Sequence, residues 1–260
     1  MTIEEMLERK KELGYSYEKI AELSGVPLGT VQKVLGGITK VPRYDTKLAL
    51  SRVLQPEAAL QVSEAAHAYG VKRQGEYTLE DYYALPEDIR AELIDGVLYD
   101  VSAPQVIHQM IVGRLTLRLA QYIESKQGNC IVFGAPVDTQ LDCDNRTMVQ
   151  PDIGIVCNRD QLLMKGIFGA PDFVVEVLSP STRKKDRTIK LLKYMNAGVR
   201  EYWIVDPEKK YVTVYLADED GGYDVSVSSF EDIIPVAIFE NECKINFTEI
   251  YDYISFMYEK

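Results

Sequence analysis

The chain has 260 residues, 46% of them hydrophobic and 27% charged, and a formal net charge of −11. This composition excludes a disordered or fibrous protein, and the length suits one sizeable core plus a small second domain. No apolar run approaches the roughly 20 residues of a membrane helix, and the start lacks the basic-then-apolar order of a signal peptide, so a cytoplasmic protein with no membrane partner is expected.

The charge is uneven: residues 1–55 hold nine Lys and Arg against seven Asp and Glu, and the remainder twenty against thirty-three. Non-specific affinity for nucleic acid rests on phosphate neutralisation, so the acidic remainder argues against an indiscriminate nuclease. A local basic groove, or DNA brought in by the first segment, stays compatible with it. Cys130, Cys143, Cys157 and Cys243 lie far apart without a C-x-x-C pair. With only His67 and His108 beside them, a structural zinc site is not expected, and the cysteines read as reduced, small core or near-surface residues.

In chain order, residues 1–70 read as a helical domain. Ile3, Met6, Leu7 and Leu13 form a loose helical stripe. Ser16 suits the cap of a helix ending near Ser24, Gly25 a tight turn, Pro27 the start of the next helix, and Gly36-Gly37 its end. The segment resembles the helix-turn-helix of phage-repressor-like regulators, with Ala21 at the helix contact, Gly25 in the turn and Val31 buried. That resemblance implies that Leu28, Gly29, Thr30, Gln32 and Lys33 lie at or near a DNA major groove. Without it, the same pattern reads as a helical bundle for protein contacts. Leu48, Leu50 and Leu54 and an Ala-rich segment from Glu57 to His67 extend the helical character, and residues 71–76 read as a linker.

From 77 to 260 the pattern is that of an α/β domain around a mixed sheet. Two short helices, Thr78–Leu85 and Pro86–Leu93, precede a strand at Val97–Val101, and His108–Lys126 is an amphipathic helix with Ile111, Leu115, Leu119 and Tyr122 in register. Strands follow at Cys130–Leu141, Val149–Cys157 and Phe173–Leu178, then a helix at Ser181–Ala197 and strands at Glu201–Val205 and Tyr211–Leu216. Residues 223–254 close with a strand or two and a short helix.

Two of these strands carry an isolated acid. Asp152 and Glu176 stand in apolar, β-branched runs, where an unpaired carboxylate is costly. On neighbouring strands they would form a divalent-cation site of the kind used in phosphodiester hydrolysis. Glu92 lies near a helix end, His108 opens the next helix, and Asp186, Lys190 and Tyr194 fall at i, i+4 and i+8.

Together, Glu92 with Gly96, His108, Pro151-Asp152, Val175-Glu176-Val177-Leu178-Ser179-Pro180-Ser181, Lys190, Tyr194 and Gly198-Val199-Arg200-Glu201-Tyr202-Trp203-Ile204-Val205-Asp206 resemble the Uma-type bacterial endonucleases of the PD-(D/E)XK restriction-endonuclease-like superfamily. The resemblance implies a restriction-endonuclease-like mixed sheet flanked by helices. It also implies a DNA phosphodiesterase that uses Mg²⁺ (or Mn²⁺) and no organic cofactor. Asp152 and Glu176 would ligate the metal with the Val177 carbonyl, and Glu92 would orient a metal-bound water. One feature departs from the superfamily: Leu178 occupies the position two residues after the strand acid where a lysine is usual. Lys190 is then the migrated lysine, with Tyr194 as a phosphate or water partner and His108 as a site neighbour. The bland readings are an i, i+4 pair of Lys190 with Asp186, core packing for Tyr194 and a helix-start histidine against the sheet. One active site per chain implies a homodimer for double-strand cleavage. The alternative function is a DNA-binding regulatory or assembly protein with an inactive nuclease-like core.

Overall fold

The computed structural model describes residues 2–39, 42–54, 72, 74–86, 89–180 and 182–259. The Ala-rich segment expected to be helical at 57–67 lies outside the described residues, as do parts of the 71–76 stretch. The chain divides into two compact units, residues 1–101 and 102–260.

In the first unit, α1 (Ile3–Leu13), α2 (Tyr17–Ser24), α3 (Leu28–Leu35) and α4 (Tyr44–Leu54) bury a core of Met6, Ile20, Val31, Val34, Leu35, Leu50 and Leu54. Thr2 and Glu5 form a reciprocal capping box on α1, and Ser16 caps α2 through the Lys19 amide. The turn between α2 and α3 is made by Gly25 at φ +69°, where an L side chain would be strained. A short helix, α5 (Leu79–Tyr83), leads into an antiparallel hairpin of β1 (Ala91–Ile94) and β2 (Val97–Asp100).

That hairpin corrects one sequence expectation. Residues 91–93, expected at the end of a helix, belong to strand β1. Asp95-Gly96 forms the two-residue turn, with both residues at positive φ (52° and 77°), the geometry for which Asp-Gly is favoured. Glu92 therefore stands within a strand, paired in register with Tyr99.

The second unit is built on a six-stranded sheet in the order β11-β10-β9-β8-β5-β3. Its strands are β3 (Ile131–Gly134), β5 (Ile153–Val156), β8 (Phe173–Val177), β9 (Glu201–Asp206), β10 (Tyr211–Ala217) and β11 (Tyr223–Ser229). Within this sheet, among the described residues, only β8 and β9 are paired in parallel, and a helical crossover joins them. One face is covered by α6 (Val106–Ser125), whose Ile111, Leu115 and Leu119 pack with Ile153, Phe173, Val175 and Trp203. Phe247, Ile250 and Ile254 of α9 (Phe247–Ile254) join the same core. Small sheets of β4 (Thr139–Gln140) with β6 (Leu162–Leu163) and β7 (Gly166–Phe168), and of β12 (Ile233–Val236) with β13 (Cys243–Asn246), complete the unit.

The cysteine expectation is corrected as well. Cys130 and Cys157 are joined in a disulfide, while Cys143 and Cys243 are free. The pair sits opposite at the ends of β3 and β5, because Ile131 is in register with Val156 and the preceding and following residues therefore meet. Sequence spacing gives no access to that register. Among the described residues no helix is long and apolar enough to cross a membrane.

Candidate active site

Side chains alternate along β8, so Phe173, Val175 and Val177 join the core under α6 while Glu176 points to the opposite face. That face is covered by the crossover between β8 and β9. The crossover begins as α7 (Arg183–Lys185), widens into a π-helical turn at Asp186–Lys190 and continues as α8 (Leu191–Ala197). Such a widened turn is uncommon and recurs at functional sites. Here Asp186 and Lys190 are both buried within it.

Lys190 reaches the sheet. Its Nζ lies 2.5 Å from Glu176 Oε1, with both side chains under 5% exposed. Tyr194, fully buried, donates its hydroxyl to the same oxygen at 2.7 Å. Lys190 is thus the ion-pair partner of the strand acid. Behind them, Tyr202 of β9 donates to the Asp186 carbonyl. Burial, and then the charges of Glu176 and Asp186, push its phenol well above the usual range, which keeps it a donor.

Asp152 is the residue immediately before β5, a neighbour of β8 in the sheet. Its Oδ2 lies 3.0 Å from His108 Nε2 and accepts the Val177 amide at 2.7 Å. His108 occupies the first turn of α6 and is buried, and its Nδ1 has no hydrogen-bond partner among the described residues. That pattern puts the imidazole proton on Nε2, facing the carboxylate. Asp152 Oδ1 accepts no hydrogen bond among the described residues, so one oxygen is held and the other left for a ligand.

The second unit therefore brings together five of the sequence candidates, His108, Asp152, Glu176, Lys190 and Tyr194, and the Val177 backbone. Glu92 belongs to the first unit, where it is buried in β1. In α3, Val31, Val34 and Leu35 are buried, whereas Leu28, Gly29, Gln32 and Lys33 are exposed and Thr30 is half-buried.

Two further buried acids, Glu201 and Asp206, stand at the two ends of β9 and are open to the same reasoning from sequence. Asp206 ends the apolar run of β9 and is fully buried, held by two hydrogen bonds from Arg183 at the start of the crossover. Arg183 also bonds Glu208. This clasp fixes the crossover to the strand that follows it.

Two carboxylates, a strand-end backbone and one lysine form an all-oxygen donor set with a resident cation. Among the described residues no group of three or more His, Cys, Asp and Glu side chains is placed to hold a metal.

The profile of the Uma2 family, described as "Putative restriction endonuclease", matches residues 79–248. The "Uncharacterized protein slr1290" of Synechocystis sp. is 26% identical over 133 residues, which cover 51% of this chain and 68% of that protein. In structure the chain is similar to "a putative nuclease belonging to DUF820" from Anabaena variabilis. The TM-score is 0.57 and the identity 21%, with 68% of this chain and 98% of that one covered. This likeness carries the fold, a mixed α/β nuclease-like architecture. Since the matched span contains both strand acids, His108 and the helical crossover with Lys190 and Tyr194, the chain belongs to the Uma2 family.

Proposed function

We propose that this protein is a Mg²⁺-dependent endonuclease that hydrolyses phosphodiester bonds of DNA. Asp152, Glu176 and the Val177 carbonyl are the groups that would hold the ion. The observation that carries this reading is the contact between Lys190 and Glu176. It brings a cation to the strand acid from the neighbouring crossover, although Leu178 fills the position two residues on.

The donor set fits magnesium, which prefers oxygen ligands, needs only one or two carboxylates and retains water; manganese suits the same oxygens. Bound there, the ion would supply positive charge against the phosphate and a more acidic water. The chain's own residues do the rest. His108 and the Val177 amide hold Asp152 Oδ2 and so fix the direction of Oδ1. Tyr194 orients Glu176 through its hydroxyl and acts as a positioning residue. Lys190 is the cation that orients the attacking water or stabilises charge developing on the phosphate. In the first unit, the exposed residues of α3 are the surface that would meet DNA.

The test is cleavage of supercoiled plasmid and of single-stranded DNA with Mg²⁺, Mn²⁺ or EDTA. Asp152→Asn and Glu176→Gln proteins would be run beside the wild type. Metal-dependent nicking lost in both variants is the expected result. Cleavage that survives both substitutions would overturn the site. DNA binding without cleavage under any metal would favour the regulatory reading, to which Leu178 and the acidic balance already incline.

A further inference from the structure

Cys130 and Cys157 flank the pairing of β3 with β5, immediately before Ile131 and after Val156. The ladder itself sets them opposite each other. Ile131 faces Val156, Gly134 faces Ile153, and the Ala135 amide donates to the Asp152 carbonyl beyond the last pair. The two sulfurs therefore meet whether or not a bond joins them, and a bond that opens can close again. That sets this disulfide apart from one that closes an otherwise free loop. It also lies at the margin of the sheet. Among the described residues β3 is an edge strand, four residues long, half-buried throughout and paired with β5 alone. Both cysteines are half-buried as well, and accessible disulfides are the ones that exchange with thiols.

A cavity of about 340 Å³ marks the approach: Cys130 lines it and Cys157 does not. Its size falls within the roughly 300–1,000 Å³ of sites for small organic ligands. The rings of Tyr122 and Phe239, 5.1 Å apart, form an apolar wall, and Lys126, Glu240 and Glu242 are its charged groups. Lys126 is ion-paired with Glu242 at 2.7 Å. One carboxylate is left in excess, which disfavours an anionic visitor.

We propose that Cys130–Cys157 is a thiol-exchange site that fastens the edge strand reversibly, and that its substrate is a small thiol without net negative charge. The thiolate enters by the cavity and attacks Cys130 Sγ. The bond between the two cysteines breaks, a mixed disulfide forms on Cys130, and the electron pair leaves on Cys157 Sγ, which takes a proton from water. A second thiolate then attacks the small thiol's sulfur, releasing a small disulfide and leaving Cys130 as a thiol. Two small thiols have then been oxidised and the protein reduced by two electrons, and β3 is held without its covalent tie. Attack of Cys157 on Cys130 before that second step restores the bond.

The test uses the full chain with Cys143→Ser throughout, because Cys143 is exposed and would react by itself. Cys243 is buried, with its thiol pushed up to about 11, and stays inert. The oxidised protein is treated with cysteamine or glutathione, quenched in acid, alkylated and read by peptide mass spectrometry. The expected intermediate carries the small thiol on Cys130 and the alkyl group on Cys157. With each rate normalised to that on bis(2-hydroxyethyl) disulfide, cysteamine should react about threefold faster than glutathione at low salt, and high salt or Glu240→Gln should narrow the margin. In hydrogen exchange, reduction should lower protection in residues 131–134 by about tenfold or more and leave β9 unchanged. A Cys157→Ser protein treated with cystamine should retain the mixed disulfide on Cys130, whereas Cys130→Ser should be labelled on Cys157 more slowly. The Cys130→Ser/Cys157→Ser protein keeps the ladder and should match the reduced protein in circular dichroism and exchange, which separates loss of the bond from loss of fold. None of these readouts depends on DNA cleavage. A bond that resists both thiols in the folded chain, labelling spread equally over the two cysteines, or protection of β3 unchanged by reduction would overturn the proposal.

Discussion

Glu176 Oε1 is held by one charged donor and one neutral donor, and that difference separates stability from chemistry at this site. Breaking a buried ion pair by removing one partner costs about 3–5 kcal/mol, most of it from the charge left behind. Lys190→Met should therefore destabilise the protein in urea unfolding by about that much. It should also lower plasmid cleavage by about 10²–10³-fold, the usual effect of removing one transition-state donor. The double variant Glu176→Gln/Lys190→Met removes both charges, so most of the stability should return while cleavage should not. Cleavage by the double variant would overturn the site, since Glu176 is one of the groups proposed to hold the ion. The Arg183–Asp206 clasp makes a prediction about acid. Burial pushes the Asp206 carboxyl up, but the Arg183 hydrogen bonds and the Lys209 amide outweigh it and hold the group below its ordinary value. A depressed carboxylate contributes stability above its unfolded value of about 3.9, and that stability is lost as the pH falls through the folded value. Arg183→Met should be less stable than wild type at neutral pH, and the gap should narrow on acidification to about pH 3. A gap that is constant or grows in acid would mean that Arg183 acts through packing rather than charge.

At the scale of elements, the sheet and its covering helix follow from periodicity alone. Leu115 lies at the centre of the α6 stripe, fully buried against the sheet. Leu115→Ala should cost about 2–5 kcal/mol in chemical denaturation, as a core truncation that leaves a cavity. The isolated acids of Asp152 and Glu176 were legible for the same reason, since each interrupts an apolar strand pattern, and their strands do pair with each other. The hairpin was hidden by competition between signals. Pro86–Leu93 reads as a short helix from sequence, while Asp95-Gly96 is the local indicator of a hairpin turn. With Gly96 at φ +77°, Gly96→Ala should cost about 1 kcal/mol or more, whereas the same change on a helix surface would stabilise by a similar amount. The widened turn at Asp186–Lys190 could not be read from sequence. A spacing of four residues gives an α-helical face, and the extra residue in the turn depends on how the crossover settles between β8 and β9. The Lys190–Glu176 pair and the Cys130–Cys157 bond share that limitation, because both depend on pairing across elements far apart in the chain.

At the scale of the whole molecule, the described residues hold a single cluster of strand acids with a lysine, all within residues 102–260. A single centre of the proposed kind would cut one strand per encounter, so cutting both strands of a duplex would require two chains or two visits. These routes leave different kinetic records. If a monomer visits twice, open-circular plasmid accumulates first, and linear product appears later at a rate that scales with protein concentration. If two chains assemble on the duplex, linear product rises with roughly the square of concentration below the dimer dissociation constant. Its ratio to nicked product then increases as protein is added. We expect the second pattern, with sedimentation velocity in the presence of uncut duplex giving a species of two chains. Mixing wild type with an excess of Asp152→Asn protein sharpens the test. In a dimer, the inactive partner occupies half of each assembly, so nicking persists while linearisation collapses. A monomer acting alone would lose both products only in proportion to its dilution. Linearisation that survives the excess in parallel with nicking would therefore show that one chain performs both cuts in turn.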